Sequence, residues 1–275
     1  MEEHAMLEIK NISKTFFLHT VNEVAALKNI SLKIDEGSFT CIIGTNGSGK
    51  STLLNAVAGS FEPDRGEIIL DGNIITKWPE YKRALHIGRV FQNPFAGTAA
   101  DMTIAENIVL AMRRGRTRNL SRAVTKAVRA EMAERVSMLR MGLETRLDNP
   151  IGTLSGGQRQ ALTLLMATWL KPKLLLLDEH TAALDPKTAA KVADLTRFII
   201  EKDKLTALMV THSMQQAVDL PDRIVMMHKG SIIADFRDEM KHRVRIPDLM
   251  RIFDRVQKRD LFDQSVADML AVQYL

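Results

Sequence analysis

The sequence has little cysteine and no long apolar run. Cys41 is the single cysteine among 275 residues, so no disulfide can form within the chain, and a reducing compartment is favoured. The longest apolar stretch, residues 161–170, contains two threonines and falls short of the ~18 apolar residues that a membrane helix needs. The first four residues include two glutamates and lack the apolar core of a signal peptide. We therefore expect a chain that is not exported and does not itself cross a membrane.

The sequence also lacks a strong excess of one charge sign. The chain carries 38 Lys and Arg against 33 Asp and Glu, a net charge of +5, with 45% apolar and 26% charged residues. These values are typical of globular proteins and exclude a disordered tail, a collagen-like fibre and a disulfide scaffold. A charge this small does not by itself indicate a nucleic-acid or membrane partner. The length allows about two domain-sized units.

Apolar patterning predicts strands and helices that alternate at both ends of the chain. Strands are predicted within residues 7–43 and at 67–70, 174–177, 206–210 and 223–227, and helices at 51–58, 103–112, 121–139, 187–200 and 214–218. The last three strands are almost continuously apolar, as in a parallel sheet buried on both faces. Residues from about 95 to 160 show helical patterning without a strand signal. The pattern favours an α/β fold with a helical insertion.

The C-terminal segment, residues 246–275, has apolar residues at helical spacing. Leu249, Phe253 and Val256 begin the series, which continues through Phe262 and Val266. One face of a helix would therefore be apolar. The simpler interpretation is a tail packed on the main domain, and the alternative is a partner-binding or regulatory element.

A glycine-rich loop follows the strand that ends near Ile43. Residues 44–51 match G-x-x-x-x-G-K-[ST] and precede a predicted helix, which is the context that phosphate binding requires. Such a loop turns backbone N–H groups inward around an anion, and the helix adds its positive N-terminal end. Lys50 would reach the β- and γ-phosphates, and the Ser51 hydroxyl would hold Mg²⁺. The residues assigned to this loop are Gly44, Thr45, Asn46, Gly47, Ser48, Gly49, Lys50, Ser51 and Thr52.

Two carboxylates follow the apolar strand 174–177. Asp178 and Glu179 stand where phosphoryl transfer needs a carboxylate that organises the metal. Asp178 would bind Mg²⁺, directly or through water. Glu179 would accept a proton from the attacking water as the general base.

With these motifs in place, the segment Leu-Ser-Gly-Gly-Gln at 154–158, about 20 residues before Asp178, makes the sequence resemble the ATP-binding cassette (ABC) ATPase family. The resemblance covers residues 6–240. It implies an α/β P-loop NTPase cassette with a RecA-like core (6–92 and 161–240), an antiparallel β subdomain and a helical subdomain (about 93–160). The apolar spacing described above adds a helical tail at 241–275. Two cassettes of this family pair head to tail, so that Ser155, Gly156, Gly157 and Gln158 of one copy would close over the ATP of the other.

The resemblance implies roles for further residues. Gln92 matches the family's Q-loop and would contact Mg²⁺ or the water, and His212 matches the switch histidine that contacts the γ-phosphate. Asp185 matches the D-loop at the dimer interface. Phe16 matches the aromatic residue that stacks on adenine, with the adjacent Phe17 as the alternative.

One position departs from the family pattern. His180 follows the candidate base, where most relatives carry proline or alanine. We expect it to be a subgroup variant that faces the dimer interface, with a catalytic role as the less favoured alternative.

Basic residues crowd the helical insertion. The cluster consists of Arg113, Arg114, Arg116, Arg118, Arg122, Lys126, Arg129 and Arg135. A solvated helix face and contact with a membrane-embedded partner are both open interpretations. Nucleic-acid binding is disfavoured because aromatic residues are not interleaved with the charges.

These features predict the ATPase subunit of a membrane transporter, with ATP and Mg²⁺ as cofactors. The expected assembly is a homodimer on separate permease chains at the cytoplasmic face of the cell membrane, with no nucleic acid. We expect an importer of a small solute that is served by an extracytoplasmic substrate-binding protein. The stretch at 178–186 resembles a bacterial importer subgroup with some members that serve aromatic amino acids, which favours an amino-acid-like solute. The alternative is a soluble ABC ATPase outside transport, such as an iron–sulfur assembly scaffold ATPase. A regulatory module that binds ATP without hydrolysis is disfavoured by Glu179 and His212.

Overall fold

The computed structural model describes residues 5–115 and 124–273, with side chains up to residue 260. The strands are β1 (Ala5–Phe16), β2 (Val24–Asp35), β3 (Phe39–Gly44), β4 (Arg65–Leu70), β5 (Asn73–Ile74), β6 (Ile87–Val90), β7 (Leu174–Asp178), β8 (Thr206–Val210), β9 (Arg223–His228) and β10 (Ser231–Phe236). The helices are α1 (Lys50–Ala58), α2 (Glu80–Arg83), α3 (Ile104–Met112), α4 (Lys126–Ser137), α5 (Gly156–Thr168), α6 (Pro186–Asp203), α7 (Met214–Asp219), α8 (Asp238–Arg243) and α9 (Ile246–Gln273).

A six-stranded sheet forms the centre of the molecule, in the order β10-β9-β3-β8-β7-β6. All neighbours pair in parallel except β10, which is antiparallel to β9. Alternate residues of β7 pack on opposite faces of the sheet, Leu174 and Leu176 on one and Leu175 and Leu177 on the other. Both faces are therefore covered, which explains the continuous apolar runs in the sequence. The carboxyl ends of the parallel strands meet at one edge, where ligands bind in open α/β sheets.

A second, antiparallel sheet of order β2-β1-β4-β5 covers one face of the first. Its inward side chains, including Leu7 and Ile34, form one core cluster with Leu53 and Leu54 of α1. Helix α1 is therefore buried between the two sheets. This burial fixes the helix that begins immediately after the glycine-rich loop.

A third cluster joins helices α3, α4 and α5. Helix α5 contributes to two clusters, since Leu162 and Leu165 pack with the helices and Leu164 packs on the central sheet. The subdomain boundary predicted at residues 160/161 falls inside α5 and stays a prediction, like the cassette limits at 6 and 240.

The structure confirms the predicted strands at 67–70, 174–177, 206–210 and 223–227. The prediction overlooked β6 and β10, and it placed the start of α5 near Gln158, whereas the helix begins at Gly156. The helix predicted at 121–139 is observed as α4, and its predicted first residues, 121–123, lie outside the described residues.

The tail helix α9 packs on the core. Leu249 and Phe253 are buried in the cluster that covers the second face of the central sheet. This agrees with the simpler interpretation of the tail for its first two turns. Phe262 and Val266 lie beyond the described side chains. Across the described part of the chain, no helix combines the length and apolar character that crossing a membrane would require.

Candidate nucleotide site

The glycine-rich loop lies between β3 and α1 at the carboxyl edge of the central sheet. It borders a cavity of about 220 Å³ that Glu179 and His212 also line. A Cβ atom at Gly44 would lie 2.3 Å from the Met227 carbonyl oxygen, and one at Gly49 would lie 2.4 Å from the Ala26 oxygen. Both positions therefore require glycine, and the loop keeps the concave shape that suits a polyphosphate chain.

Lys50 places its ammonium group at the centre of this loop. Its Nζ donates hydrogen bonds to the carbonyl oxygens of Gly44 and Thr45, both at 2.9 Å. Burial lowers the pKa of Lys50, and the carboxylates of Glu179 and Asp178 oppose that shift. A phosphate oxygen would make a stronger, charge-assisted partner than a carbonyl, so the residue fits a phosphate ligand.

Ser51 and Asp178 form an oxygen-rich pair beside the loop. The Ser51 Oγ lies 3.5 Å from Asp178 Oδ1 at the end of β7. The described residues contain no group of three or more carboxylate, histidine or cysteine side chains that could enclose a metal. Mg²⁺ usually takes one or two protein oxygens and fills its shell with phosphates and water, so this pair fits a metal that arrives with a nucleotide.

Glu179 is buried between two polar side chains. Gln92 Nε2 donates to its Oε2 at 3.1 Å, and His212 Nε2 lies 2.6 Å from its Oε1. The backbone of Glu179 has a φ of 45°, a left-handed conformation that is costly for glutamate and is often found at functional sites. Because Gln92, Glu179 and His212 follow the neighbouring strands β6, β7 and β8, the sheet brings all three side chains together.

The signature segment lies on a different surface. Ser155 caps helix α5 in a capping box with Gln158. A Cβ atom at Gly157 would lie 2.0 Å from Thr188 Cγ2, and one at Gly156 would lie 3.4 Å from Leu184. The signature therefore packs against the first turn of α6 and the segment that precedes it, and its residues do not line the cavity at the glycine-rich loop.

Asp185 lies in that neighbouring segment. Its Oδ1 accepts a hydrogen bond from the Thr188 backbone N–H at 3.1 Å and so caps α6. The hydrogen bonding with Thr188 lowers the pKa of this exposed carboxyl. Asp185 therefore lies next to the signature, and none of these residues lines the cavity of the loop and Glu179.

Phe16 ends strand β1 and packs against a second aromatic ring. It contacts Phe61 edge to face at a centroid distance of 5.3 Å, and the Lys14 ammonium lies 5.6 Å from its ring centre. Phe17 is 68% exposed. Neither ring lines the cavity at the loop, so the choice of an adenine-stacking residue stays a prediction.

The expectation for His180 is wrong. The side chain is buried, and its Nε2 lies 2.9 Å from Thr196 Oγ1 on α6. Burial lowers the pKa of His180 to about 4. The residue therefore packs inside the molecule instead of facing a dimer interface, because its ring fills the space between the strand end and α6.

This burial makes stability depend on pH. Below pH 6.5 the unfolded chain protonates His180 and the folded chain does not until about pH 4, so the free energy of unfolding falls as the pH falls through that window. The slope for one such group is about 1.4 kcal/mol per pH unit. We expect His180→Leu to lose this component, as measured by urea unfolding at pH 7.5, 6 and 5. His19→Gln, at an exposed histidine, is the control, and equal slopes for wild type and His180→Leu would contradict the assignment.

Arg89 is a site residue that the sequence analysis missed. Its Nη2 lies 3.6 Å from Asp178 Oδ2 and donates to Asn55 Oδ1 at 2.5 Å. Strand β6, which carries it, has only four residues and includes Gly88, so its apolar signal is weak. Its position three residues before Gln92 could have indicated that Arg89 lies near the site.

The basic cluster of the helical region is partly neutralised. Arg129 pairs with Asp148, and Arg135 lies 3.0 Å from Glu131. Arg114 lines a groove of about 310 Å³ beside β6 and α3, and burial lowers its pKa. Arg116, Arg118 and Arg122 lie outside the described residues. Among the described residues, the basic cluster is therefore not a simple solvated helix face.

Comparison with known protein families places the chain in a class. The model of the family described as ABC transporter matches residues 27–182, more than half of the sequence. The chain belongs to this family and is an ATP-binding, ATP-hydrolysing cassette, as the site geometry indicates.

Individual relatives are ATP-binding proteins of transport systems. The chain is 41% identical over 249 residues to the tyrosine transport ATP-binding protein of Clostridioides difficile, covering 90% of this chain and 99% of the relative. It is 34% identical to the spermidine/putrescine import ATP-binding protein PotA of Haemophilus influenzae, over 86% of this chain and 59% of that protein. The chain therefore spans little more than half the length of the polyamine relative.

Solved structures confirm the fold. A dimeric ATP-binding cassette in a post-hydrolysis state with ADP and Pi matches with a TM-score of 0.72 and 30% identity, over 84% of this chain and 98% of that chain. The ADP form of another ABC transporter cassette matches with a TM-score of 0.73 and 28% identity, over 90% and 98%. The predicted ABC cassette fold is thus correct.

Proposed function

We propose that Glu179 is the general base for ATP hydrolysis in a site built around the glycine-rich loop. The observation that carries the proposal is that Glu179 and His212 line the same cavity as Lys50 and Ser51. Gln92 and His212 hold the two carboxylate oxygens, which orients the base toward the cavity. A general base must lie within hydrogen-bond reach of the water that it deprotonates.

The remaining residues divide into two groups. Lys50 and the loop amides bind the phosphates, His212 contacts the terminal phosphate, and Ser51, Gln92 and Asp178 hold Mg²⁺, which would neutralise charge on the phosphates. Phe16 stacks on adenine. Ser155, Gly156, Gly157, Gln158 and Asp185 serve the nucleotide of a second copy.

A head-to-tail homodimer follows from this division. The signature and Asp185 lie together outside the cavity that the loop and Glu179 line, so one chain supplies two half-sites. The N-terminus of α5 gives the signature surface a helix dipole suited to phosphate. The dimeric cassette among the structural neighbours supports this arrangement.

We infer that the dimer energises an importer at the cytoplasmic face of the cell membrane. The named relatives serve tyrosine and polyamine transport, which favours transport over a soluble iron–sulfur assembly role. The similarity to the tyrosine relative extends over nearly its whole length and supports an amino-acid-like solute. Separate permease chains and an extracytoplasmic binding protein would complete the system. The cassette itself would occupy residues 6–240 of this chain.

The groove beside β6 is where we place the permease contact. It is lined by Arg89 and Phe91, next to Gln92, and by Leu110 and Arg114 of the helical region. Leu110 is 51% exposed, so the groove offers apolar surface together with positive charge. A partner that binds here would contact both the helical region and the strand that leads to the catalytic site.

Co-purification tests this assignment. We expect the tagged chain, isolated from detergent-solubilised membranes, to carry a multi-span membrane protein, and Arg114→Glu to lose it while ATP binding is retained. Lys33→Glu, on the exposed side of β2, is the charge-matched control. Recovery of a cytosolic assembly complex, or equal recovery of the membrane protein with both variants, would overturn the proposal.

A further inference from the structure

The turn between β9 and β10 lies against the glycine-rich loop. His228 Nδ1 is 3.3 Å from Thr45 Oγ1, and the Gly230 backbone N–H donates to the Ser48 carbonyl oxygen at 3.0 Å. The loop is therefore held at two points, near its start and near its middle. The contact with Thr45 depends on the identity of the His228 side chain, whereas the contact with Ser48 uses only backbone atoms.

The C-terminal helix α9 holds the same turn from the other side. Asp260 Oδ2 lies 2.7 Å from His228 Nε2 and 2.8 Å from Lys229 Nζ. The hydrogen bond from Lys229 makes the largest contribution to lowering the pKa of Asp260, and the hydrogen bond from His228 adds to it. Since a carboxylate only accepts, Nε2 carries a hydrogen, and the ring orientation that results directs Nδ1 to Thr45. The His228 side chain is only 12% exposed, so water competes weakly for these bonds.

Nearer the core, the preceding turns of α9 also lie beside the glycine-rich loop. A cavity of about 230 Å³ between them is lined by Gly44 and Thr45 on one side and by Met250, Phe253 and Gln257 on the other. Phe253 is buried and anchors the helix. The position of Asp260 is therefore set by packing two turns earlier along α9.

Thr45 connects this contact to the phosphate-binding lysine. Its hydroxyl faces His228, while its carbonyl oxygen accepts from Lys50 Nζ at 2.9 Å. A change in the Thr45 backbone would therefore move an acceptor that holds the ammonium group. A chain of contacts therefore runs from the tail helix to the nucleotide site, through Asp260, His228, Thr45 and Lys50.

We propose that Asp260 and His228 are positioning residues for the phosphate loop, so that the C-terminal helix sets the affinity of the cassette for ATP. The proposal rests on the proposed role of the loop in binding the phosphates. Neither residue lines the cavity beside Glu179. The expected effect is therefore on nucleotide affinity and not on the hydrolysis step.

A double-mutant cycle tests the proposal with the full chain and Mg-ATP as the probe. We expect Asp260→Ala and His228→Phe each to raise the Kd for ATP by about three- to tenfold, the equivalent of one net hydrogen bond. The double variant should be no weaker than the weaker single variant, because both act through one contact. The kcat at saturating ATP should stay within about twofold of wild type.

Three further variants separate this role from a structural one. Asp260→Asn keeps an acceptor for Nε2 and should recover most of the affinity. Lys258→Gln, exposed on the same helix, and Lys229→Gln, which leaves the Asp260–His228 bond intact, should bind ATP as wild type does. The unfolding temperatures of Asp260→Asn, Lys258→Gln and Lys229→Gln should stay close to that of wild type.

The result that would overturn the proposal is an unchanged Kd in Asp260→Ala, or additive effects in the double variant. Because Asp260 is a partly exposed helix residue, its variants test the idea even if His228→Phe fails to fold. If the wild type does not bind ATP, or if Lys50→Ala binds it equally well, the role of the loop itself is wrong. Those two failures are therefore distinguishable.

Discussion

Glu179→Gln is expected to lower kcat for ATP hydrolysis by about 10²–10⁴-fold, the contribution of a positioned general base. The amide has nearly the same shape as the carboxylate, and its oxygen can still accept from Gln92 Nε2. Its NH₂ group can donate to His212 Nε2, so the site geometry is retained. What is lost is the ability to accept a proton from the attacking water. Steady-state phosphate release at saturating Mg-ATP measures the effect.

The variant should retain ATP because the groups that bind the phosphates are unchanged. Filtration of the protein after incubation with radiolabelled ATP should recover uncleaved nucleotide from the variant and mainly ADP from the wild type. Glu201→Gln, at an exposed position on α6, is the matched control and should hydrolyse at the wild-type rate. Wild-type turnover by Glu179→Gln would remove Glu179 from its proposed role.

Lys50→Ala is expected to lose ATP affinity by about 2–5 kcal/mol, the range found when one partner of a close charge pair is truncated. The ammonium group donates hydrogen bonds only to atoms of the loop, the carbonyl oxygens of Gly44 and Thr45 and the Ser48 hydroxyl, and it lies among the groups that face the cavity. Its removal takes away the positive charge that would meet the β- and γ-phosphates. Calorimetric titration with Mg-ATP gives the change directly.

Folding must be shown to survive this substitution. Lys50 forms no ion pair within 4.0 Å in the part of the chain that the structure describes, so we expect the unfolding temperature to stay close to that of wild type. Lys28→Ala, at an exposed lysine of β2, controls for the loss of one positive charge. Unchanged affinity in Lys50→Ala would contradict the phosphate-loop interpretation.

The catalytic edge of the sheet could be predicted because its chemistry is local in sequence. The glycine-rich loop has fixed spacing, and Asp178 and Glu179 follow a strand whose apolar run is unmistakable. The parallel arrangement then places residues after β7 and β8 beside the loop. The spacing of the motifs therefore pointed to Glu179, and the family resemblance added His212, and both side chains line the cavity at the loop.

Features that depend on packing between distant segments escaped prediction. Strand β6 has four residues, and its Arg89 became visible as a site residue only through its contact with Asp178. His180 looked like a surface variant, because nothing local shows that Thr196 of α6 closes over it. The contact of Asp260 with His228 joins residues 32 positions apart, and no motif marks either one.

The central claim is that one chain carries two half-sites and that a complete site needs a second copy. The most direct test is the molar mass of Glu179→Gln by light scattering with and without Mg-ATP. The account predicts twice the chain mass of 30.8 kDa with ATP and the single mass without it, and it predicts that Ser155→Ala in the same background weakens the dimer. A Glu179→Gln protein that holds ATP and still scatters as a 30.8 kDa monomer would contradict the account.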